Sequence, residues 1–200
     1  MQARRFLADT ADSQYAIVWH LLIGTGMRRG EVAGLRWSDI DLDRGVIELR
    51  NNRVSVGWRV SETGPKSGRG RRVTLDGSLA AALRAYRRAQ VADQLAAGPA
   101  WEGASHDLVV CDALGRAVHP ETLTKAFKAA VRRVDVPALR LHDLRHTHAT
   151  LLLADGVPAK VVQERLGHSS IAITLDLYGH VTAELEQGAA ARIGSILAAR

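Results

Sequence analysis

A tyrosine, Tyr178, stands ten residues after His168 in the string LGHSSIAITLDLYGHV, and HDLRH, which holds His142 and Arg145, lies a short way upstream. A phenol is a weak nucleophile at neutral pH because its pKa lies near ~10. It attacks a phosphate only where cationic donors gather that phosphate around it, and Arg145, His142 and His168 are such donors. Two more cations fit the same chemistry: Arg28 in TGMRRGEVAGL, and Lys66, a lone lysine in the Gly- and Arg-rich stretch ETGPKSGRGRRVTL. Phosphodiester cleavage without a metal needs a positioned nucleophile, positive charge on the non-bridging oxygens, and a proton for the leaving oxygen. Two arginines from different helices can clamp the phosphorane-like transition state, each as a planar, permanently charged fork. Arg28 and Arg145 are the pair this sequence offers.

The order Arg, Lys, His-x-x-Arg, His, Tyr, set in TGMRRGE, PKSGRGRRVTL, HDLRH, LGHSS and TLDLYGHV, resembles the catalytic domain of the tyrosine recombinases, or phage integrases, from about Gln14 to Val181. The resemblance implies that Tyr178 becomes covalently joined to a DNA 3′-phosphate while a 5′-hydroxyl leaves. Lys66 matches the general acid toward that 5′-oxygen. His142 and His168 match two histidine positions, between which accepting the tyrosine proton and hydrogen-bonding a phosphate oxygen stay open. Another strand's 5′-hydroxyl then reseals the DNA without ATP, so the implied activity is site-specific DNA recombination and integration.

The same resemblance implies double-stranded DNA as partner, no cofactor and no metal, and a homotetramer on paired sites formed from a protein that is a monomer without DNA. Family members carry a helical core-binding domain ahead of this region, whereas Met1 here precedes the first helix by only about a dozen residues. The expectation is therefore an isolated catalytic domain over 1–181, the core-binding domain absent, with weak, salt-sensitive DNA binding. Residues 182–200 are expected to hold a C-terminal helix that docks on a neighbouring protomer.

Two other readings compete. The His-x-x-x-His spacing of HDLRH can grip zinc from one helix face, as in a metallohydrolase. Such sites use a glutamate directly after the first histidine; Asp143 stands there instead, and Arg145 adds a repelling charge. The second is a non-catalytic DNA-binding regulator on the same fold, for which keeping a nucleophile, both arginines, the lysine and both histidines has no purpose.

Composition agrees with an anionic partner. The 200 residues carry a formal net charge of +6 and a sequence pI near 10.1, and between Arg50 and Arg72 the only acid is Glu62. A hydrophobic content of 46% supports one substantial core. The single cysteine, Cys111, excludes an intramolecular disulfide, fits a reducing cytoplasm, and reads as a buried small residue at a strand end. No segment reaches the roughly 20 apolar residues of a membrane span.

The elements that must position these groups follow from periodicity. Ile17, Val18, Leu21 and Leu22 recur at helical spacing before Gly24. Arg28 then opens a short helix with Val32 and Leu35 inward. Glu31 is its ion-pair partner and Arg29 a solvated charge. VIELR, VSVGWRV and RRVTL read as strands of a small antiparallel sheet, with Lys66 projected by a hairpin before the last of them. Helices are predicted over 78–97, 120–134, 142–156, 158–167 and 170–179, with a loop from Gly98 to Asp107 and an amphipathic terminal helix carrying Ile193, Ile196 and Leu197. His146 shares the face of His142, whereas His148 reads as a packed histidine. His20, His106, His119 and His180 have no assigned role. The fold class is mixed α/β, mainly helical, with the sheet at one edge.

Overall fold

The computed structural model describes residues 2–56, 59–64, 70–103, 106–134, 136–137, 139–176 and 193–198. Lys66, Tyr178 and His180 lie outside the described residues. The elements run α1 (Gln2–Asp9), α2 (Ala16–Thr25), α3 (Arg29–Ala33), a 3-10 turn (Trp37–Asp39), β1 (Ile40–Asp41), β2 (Val46–Leu49), β3 (Asn52–Val56), β4 (Arg59–Thr63), β5 (Arg71–Thr74), α4 (Gly77–Ala97), α5 (Pro120–Arg133), α6 (Asp143–Ala154), α7 (Ala159–Leu166) and α8 (Ile171–Leu175). The mainly helical mixed class holds. Among the described residues no helix is long and apolar enough to cross a membrane.

The helix α2 is apolar on all sides and is accordingly the centre of the fold, with Val18, Trp19 and Leu21 wholly buried. Trp19, Phe127 of α5 and Phe6 of α1 meet edge to face, with Phe127 5.4 Å from each of the other two ring centroids. The sequence reading did not include α1, because Phe6 and Leu7 are too few apolar residues in a charged run to show a period. Asp76 caps α4 by accepting from the Ser78 and Leu79 amides, and His119 caps α5 through Nδ1 with Pro120 in the first turn. A smaller core of Ala149, Leu153, Val162 and Leu166 joins α6 to α7.

Among the described residues the strands form two sheets rather than one. Strands β1, β2 and β5 make an antiparallel sheet in which Ile47 pairs with Val73 on the buried face and Glu48 with Arg72 on the open face. The predicted strand VSVGWRV instead divides into parts of β3 and β4, which pair only with each other, from Asn52–Thr63 to Val56–Arg59. Strand β4 does not pair with β5, and the expected hairpin that carries Lys66 lies outside the described residues. The helix α3 lies close against β3 because Gly30 and Gly34 carry no side chain: a Cβ on Gly30 would stand 2.5 Å from the Arg53 carbonyl oxygen. That close approach fixes the start of α3, and with it Arg28.

Candidate active site

Two helix C-termini converge at the centre of the site. The last carbonyls of any helix lack intrahelical partners and carry the negative end of its dipole, so they attract cations. Here the ends of α2 and α7 are both filled by arginines from other elements. Arg71 Nε donates to the Arg165 carbonyl at 2.9 Å, Arg145 Nη2 to Leu166 at 2.5 Å, and Arg28 Nη2 to Gly167 at 3.3 Å. Arg145 Nη1 donates to the Gly26 carbonyl at the end of α2, at 2.5 Å. Arg165 Nη2 reaches the Gly24 and Thr74 carbonyls, at 3.0 and 3.1 Å. Each charge-assisted bond of this type contributes roughly 1.5–3 kcal/mol.

Both turns need glycine. Gly26 and Gly167 have φ of 67° and 66°, and a Cβ on either would meet a neighbour at under 3.0 Å, Leu166 Cδ2 for Gly26 and Arg71 Cδ for Gly167. The glycine of LGHSS thus lets the Arg71 stem pass directly beneath the turn that presents His168.

Arg28 occupies the N-cap of α3. Its backbone amide donates to Glu31 Oε2 at 2.7 Å and its Nη1 to Glu31 Oε1 at 3.0 Å, while its side chain keeps 42% exposure. Arg145, in the first turn of α6, is only 4% exposed. Burial, then the charges of Arg28 and Arg71, push its guanidinium down to about 9, so it remains a cation at neutral pH.

The histidines divide by environment. Burial, followed by the Arg145 and Arg28 charges, pushes His168 down to about 4, and its Nδ1 shares a hydrogen bond of 2.9 Å with the buried Thr174 hydroxyl. His142, at the start of α6, lies edge to face with His146, ring centroids 5.1 Å apart. It is open to solvent at the residue level, but the partial burial of its ring and the nearby His146 and Arg145 charges still lower its pKa. Both site histidines are thereby held neutral at pH 7, able to accept a proton. A neighbourhood that repels positive charge suits an anion and disfavours a zinc ion on His142 and His146; Asp143, moreover, is committed to the Arg140 amide and guanidinium, at 2.8 and 3.1 Å.

The structure thus brings together four of the six candidates, Arg28, His142, Arg145 and His168. Several neighbours differ from expectation. Arg29 is no solvated charge: its Nη1 donates to Glu121 Oε1 at 2.5 Å and to Thr124 at 2.7 Å, tying α3 to α5. Cys111 is half-buried rather than buried, and accepts from Gln90 Nε2 at 2.8 Å. Glu31 is the ion-pair partner of Arg28 as expected, but it is buried and has a second cation. Burial raises its carboxyl, but the hydrogen bond and charge of Arg71, with those of Arg28, hold it below the ordinary glutamate value. Arg71 and Arg165 were missed. Alternation along β5 puts Arg71 on the face of buried Val73, a usable signal; nothing in the sequence marks Arg165.

A cluster of guanidiniums beside two histidines on a mainly helical α/β domain is what fold and geometry define. The model described as the phage integrase family matches residues 2–184, and the chain belongs to that family, the tyrosine recombinases. A tyrosine recombinase XerC-like protein of Caldanaerobacter subterraneus subsp. tengcongensis is 35% identical over 175 residues, which is 80% of this chain and 44% of that protein. The ICEBs1 integrase of Bacillus subtilis is 28% identical over 176 residues, 86% of this chain and 46% of that one. The chain therefore spans less than half the length of these curated relatives. The solved Tn1549 transposon integrase, in complex with transposon right end DNA, shares the fold with a TM-score of 0.79 at 21% identity, over 96% of this chain and 64% of that one.

Proposed function

We propose that this chain cuts and rejoins DNA strands as the catalytic domain of a site-specific recombinase. The observation that carries the reading is the pair of guanidiniums, Arg28 and Arg145, anchored on the same turn at the end of α7 beside two neutral histidines. A phosphodiester entering here meets two forks whose orientation is fixed before it arrives, so little reorganisation remains for the reaction.

In this reading the Tyr178 oxygen attacks phosphorus and the P–O5′ bond breaks. The tyrosine proton passes to His142, and Lys66 protonates the departing 5′-oxygen. Arg28, Arg145 and the His168 ring hold the non-bridging oxygens. The 3′-phosphotyrosyl bond keeps the phosphodiester energy, and attack by another 5′-hydroxyl reverses the sequence of bonds. Residues 1–181 form the catalytic unit. The exposed apolar residues Ile193, Ile196 and Leu197 on the helical stretch 193–198 support docking of the C-terminal segment on a neighbouring protomer. Four protomers act on two duplexes in the cytoplasm, and the protein is a monomer without DNA.

The test is covalent trapping on a nicked suicide duplex that carries candidate attachment sites, at low salt. The parent protein is expected to give a slow-migrating adduct after denaturation and Tyr178→Phe none. An adduct formed equally by both proteins, or by neither when the DNA is demonstrably bound, would overturn the assignment.

A further inference from the structure

Arg71 holds none of the six positions supplied by the family pattern, yet it makes the most complete ionic contact in the site. Its Nη1 and Nη2 donate to the two Glu31 oxygens at 2.5 and 2.8 Å while its Nε takes the Arg165 carbonyl at 2.9 Å. The Arg71 and Glu31 side chains are 15% and 8% exposed. A bidentate fork of this kind, largely withdrawn from water, is the strong form of an Arg–carboxylate pair.

Arg28 is held more loosely by the same carboxylate. Only its Nη1 meets Glu31, at 3.0 Å, its Nη2 makes a long bond to Gly167, and its side chain is 42% exposed. Two guanidiniums, those of Arg28 and Arg71, therefore share one carboxylate, and of the two the one that takes both oxygens is the one withdrawn from solvent. With Arg71 gone, the buried Glu31 charge would have Arg28 as its sole cation within hydrogen-bond reach among the described residues. A buried carboxylate demands a partner, and Arg28 would close on it with both nitrogens.

We propose that Arg71 is a positioning residue that occupies Glu31 so that the Arg28 fork stays available to a phosphate. The proposal rests on the reading of Arg28 as a phosphate clamp. It distinguishes Arg71 from a packing residue by one property: the damage caused by its loss depends on the Glu31 charge. Glutamine at position 31 still accepts from the Arg28 amide, as an N3 residue of a capping box does, but has no charge with which to capture the guanidinium.

The experiment is a double-mutant cycle on the full chain, with R71Q made in the Glu31 background and in E31Q. The single-turnover rate of adduct formation on the nicked duplex is read separately from duplex affinity by anisotropy. R71Q is expected to slow adduct formation about tenfold or more, the scale of one charge-assisted bond, with a smaller change in affinity. In E31Q the same substitution should have little effect, so that R71Q/E31Q is faster than R71Q alone. Equal slowing in both backgrounds would make Arg71 a structural residue, and an unchanged R71Q rate would remove any role. If R71Q does not fold, as judged by circular dichroism, R71K keeps the charge without the fork and should show the same dependence on Glu31 in milder form. Should the parent itself form no adduct, the functional reading fails, and inorganic phosphate titrated against the Arg28 Nε–H resonance decides this proposal instead. Binding weakened about tenfold in R71Q and restored in R71Q/E31Q would support it; equal binding in all three proteins would overturn it.

Discussion

The joined ends of α2 and α7 and the outer faces of α7 and α8 are neighbouring regions built in opposite ways. At the helix ends nearly every polar group is tied: Arg145 to Gly26 and Leu166, Arg165 to Gly24 and Thr74, His148 to Ile23 and Arg165. On the outer faces Val161, Ile171, Ile173 and Leu175 are all at least 40% exposed, although each is a large apolar residue. The first region is complete within one chain. The second leaves its apolar surface in water, where it contributes nothing to the fold. Substitutions should therefore cost much in the one and little in the other, and that asymmetry can be measured.

The largest effect is expected at Arg145. Arg145→Met keeps the length and apolar stem of the side chain but leaves the Gly26 and Leu166 carbonyls without their donor. Each unpaired buried group costs about 1–3 kcal/mol, so a loss on the order of 3 kcal/mol is expected in urea unfolding, together with loss of adduct formation. A variant as stable as the parent would show that the two helix ends hold together without the arginine, which removes the structural half of the contrast.

Acid should open the same region. His148 is 6% exposed; its Nδ1 bonds the Ile23 carbonyl at 2.7 Å and its Nε2 accepts from Arg165 Nε at 3.1 Å, so protonation would destroy the second bond. Burial first, with the charges of Arg165 and Arg145, pushes its pKa down to about 4. In the unfolded chain an ordinary histidine titrates near ~6.5. Between these values the unfolded state binds more protons than the folded one, so stability is full above about pH 6.5 and falls as pH drops toward 4. From pH 7 to 5 the loss is roughly 2 kcal/mol from His148 alone, with His168 acting in the same direction. Urea melts at the two pH values, repeated on His148→Gln, check this: the variant should lose the share that His148 carries, roughly 2 kcal/mol, and keep the share due to His168. An unaltered dependence would place the acid-sensitive group elsewhere.

This contrast also explains what could be read from the sequence. Helices α4 to α7 were legible because their apolar spacing and their Asp76, Pro120 and Gly167 boundaries are local signals. Arg28, His142, Arg145 and His168 were legible as an ordered pattern. The arrangement that holds them was not, since the Arg71–Glu31 and Arg165–Gly24 contacts span 40 and 141 residues and leave no mark on local periodicity. Division of the expected single sheet was hidden for a related reason. VSVGWRV alternates well enough for one strand, and only pairing of Val56 with Arg59 reveals the reversal inside it.

The smallest effect is expected on the outer face, and its smallness is what gives the comparison force. Ile173 and Leu175 are 44% and 46% exposed on α8, and their neighbour Thr174 is the wholly buried residue of that turn, bonded to His168. Ile173→Ser and Leu175→Ser remove apolar surface that water already reaches, so each should change unfolding free energy by no more than about 0.5 kcal/mol. Thr174 should continue to hold the His168 ring in both. If either substitution costs as much as Arg145→Met, the face is part of the fold of a single chain rather than surface left over from it. If stability is unchanged but adduct formation on paired sites falls, the exposed residues are needed by the assembled protein and not by the isolated one, as expected where a neighbouring copy covers them.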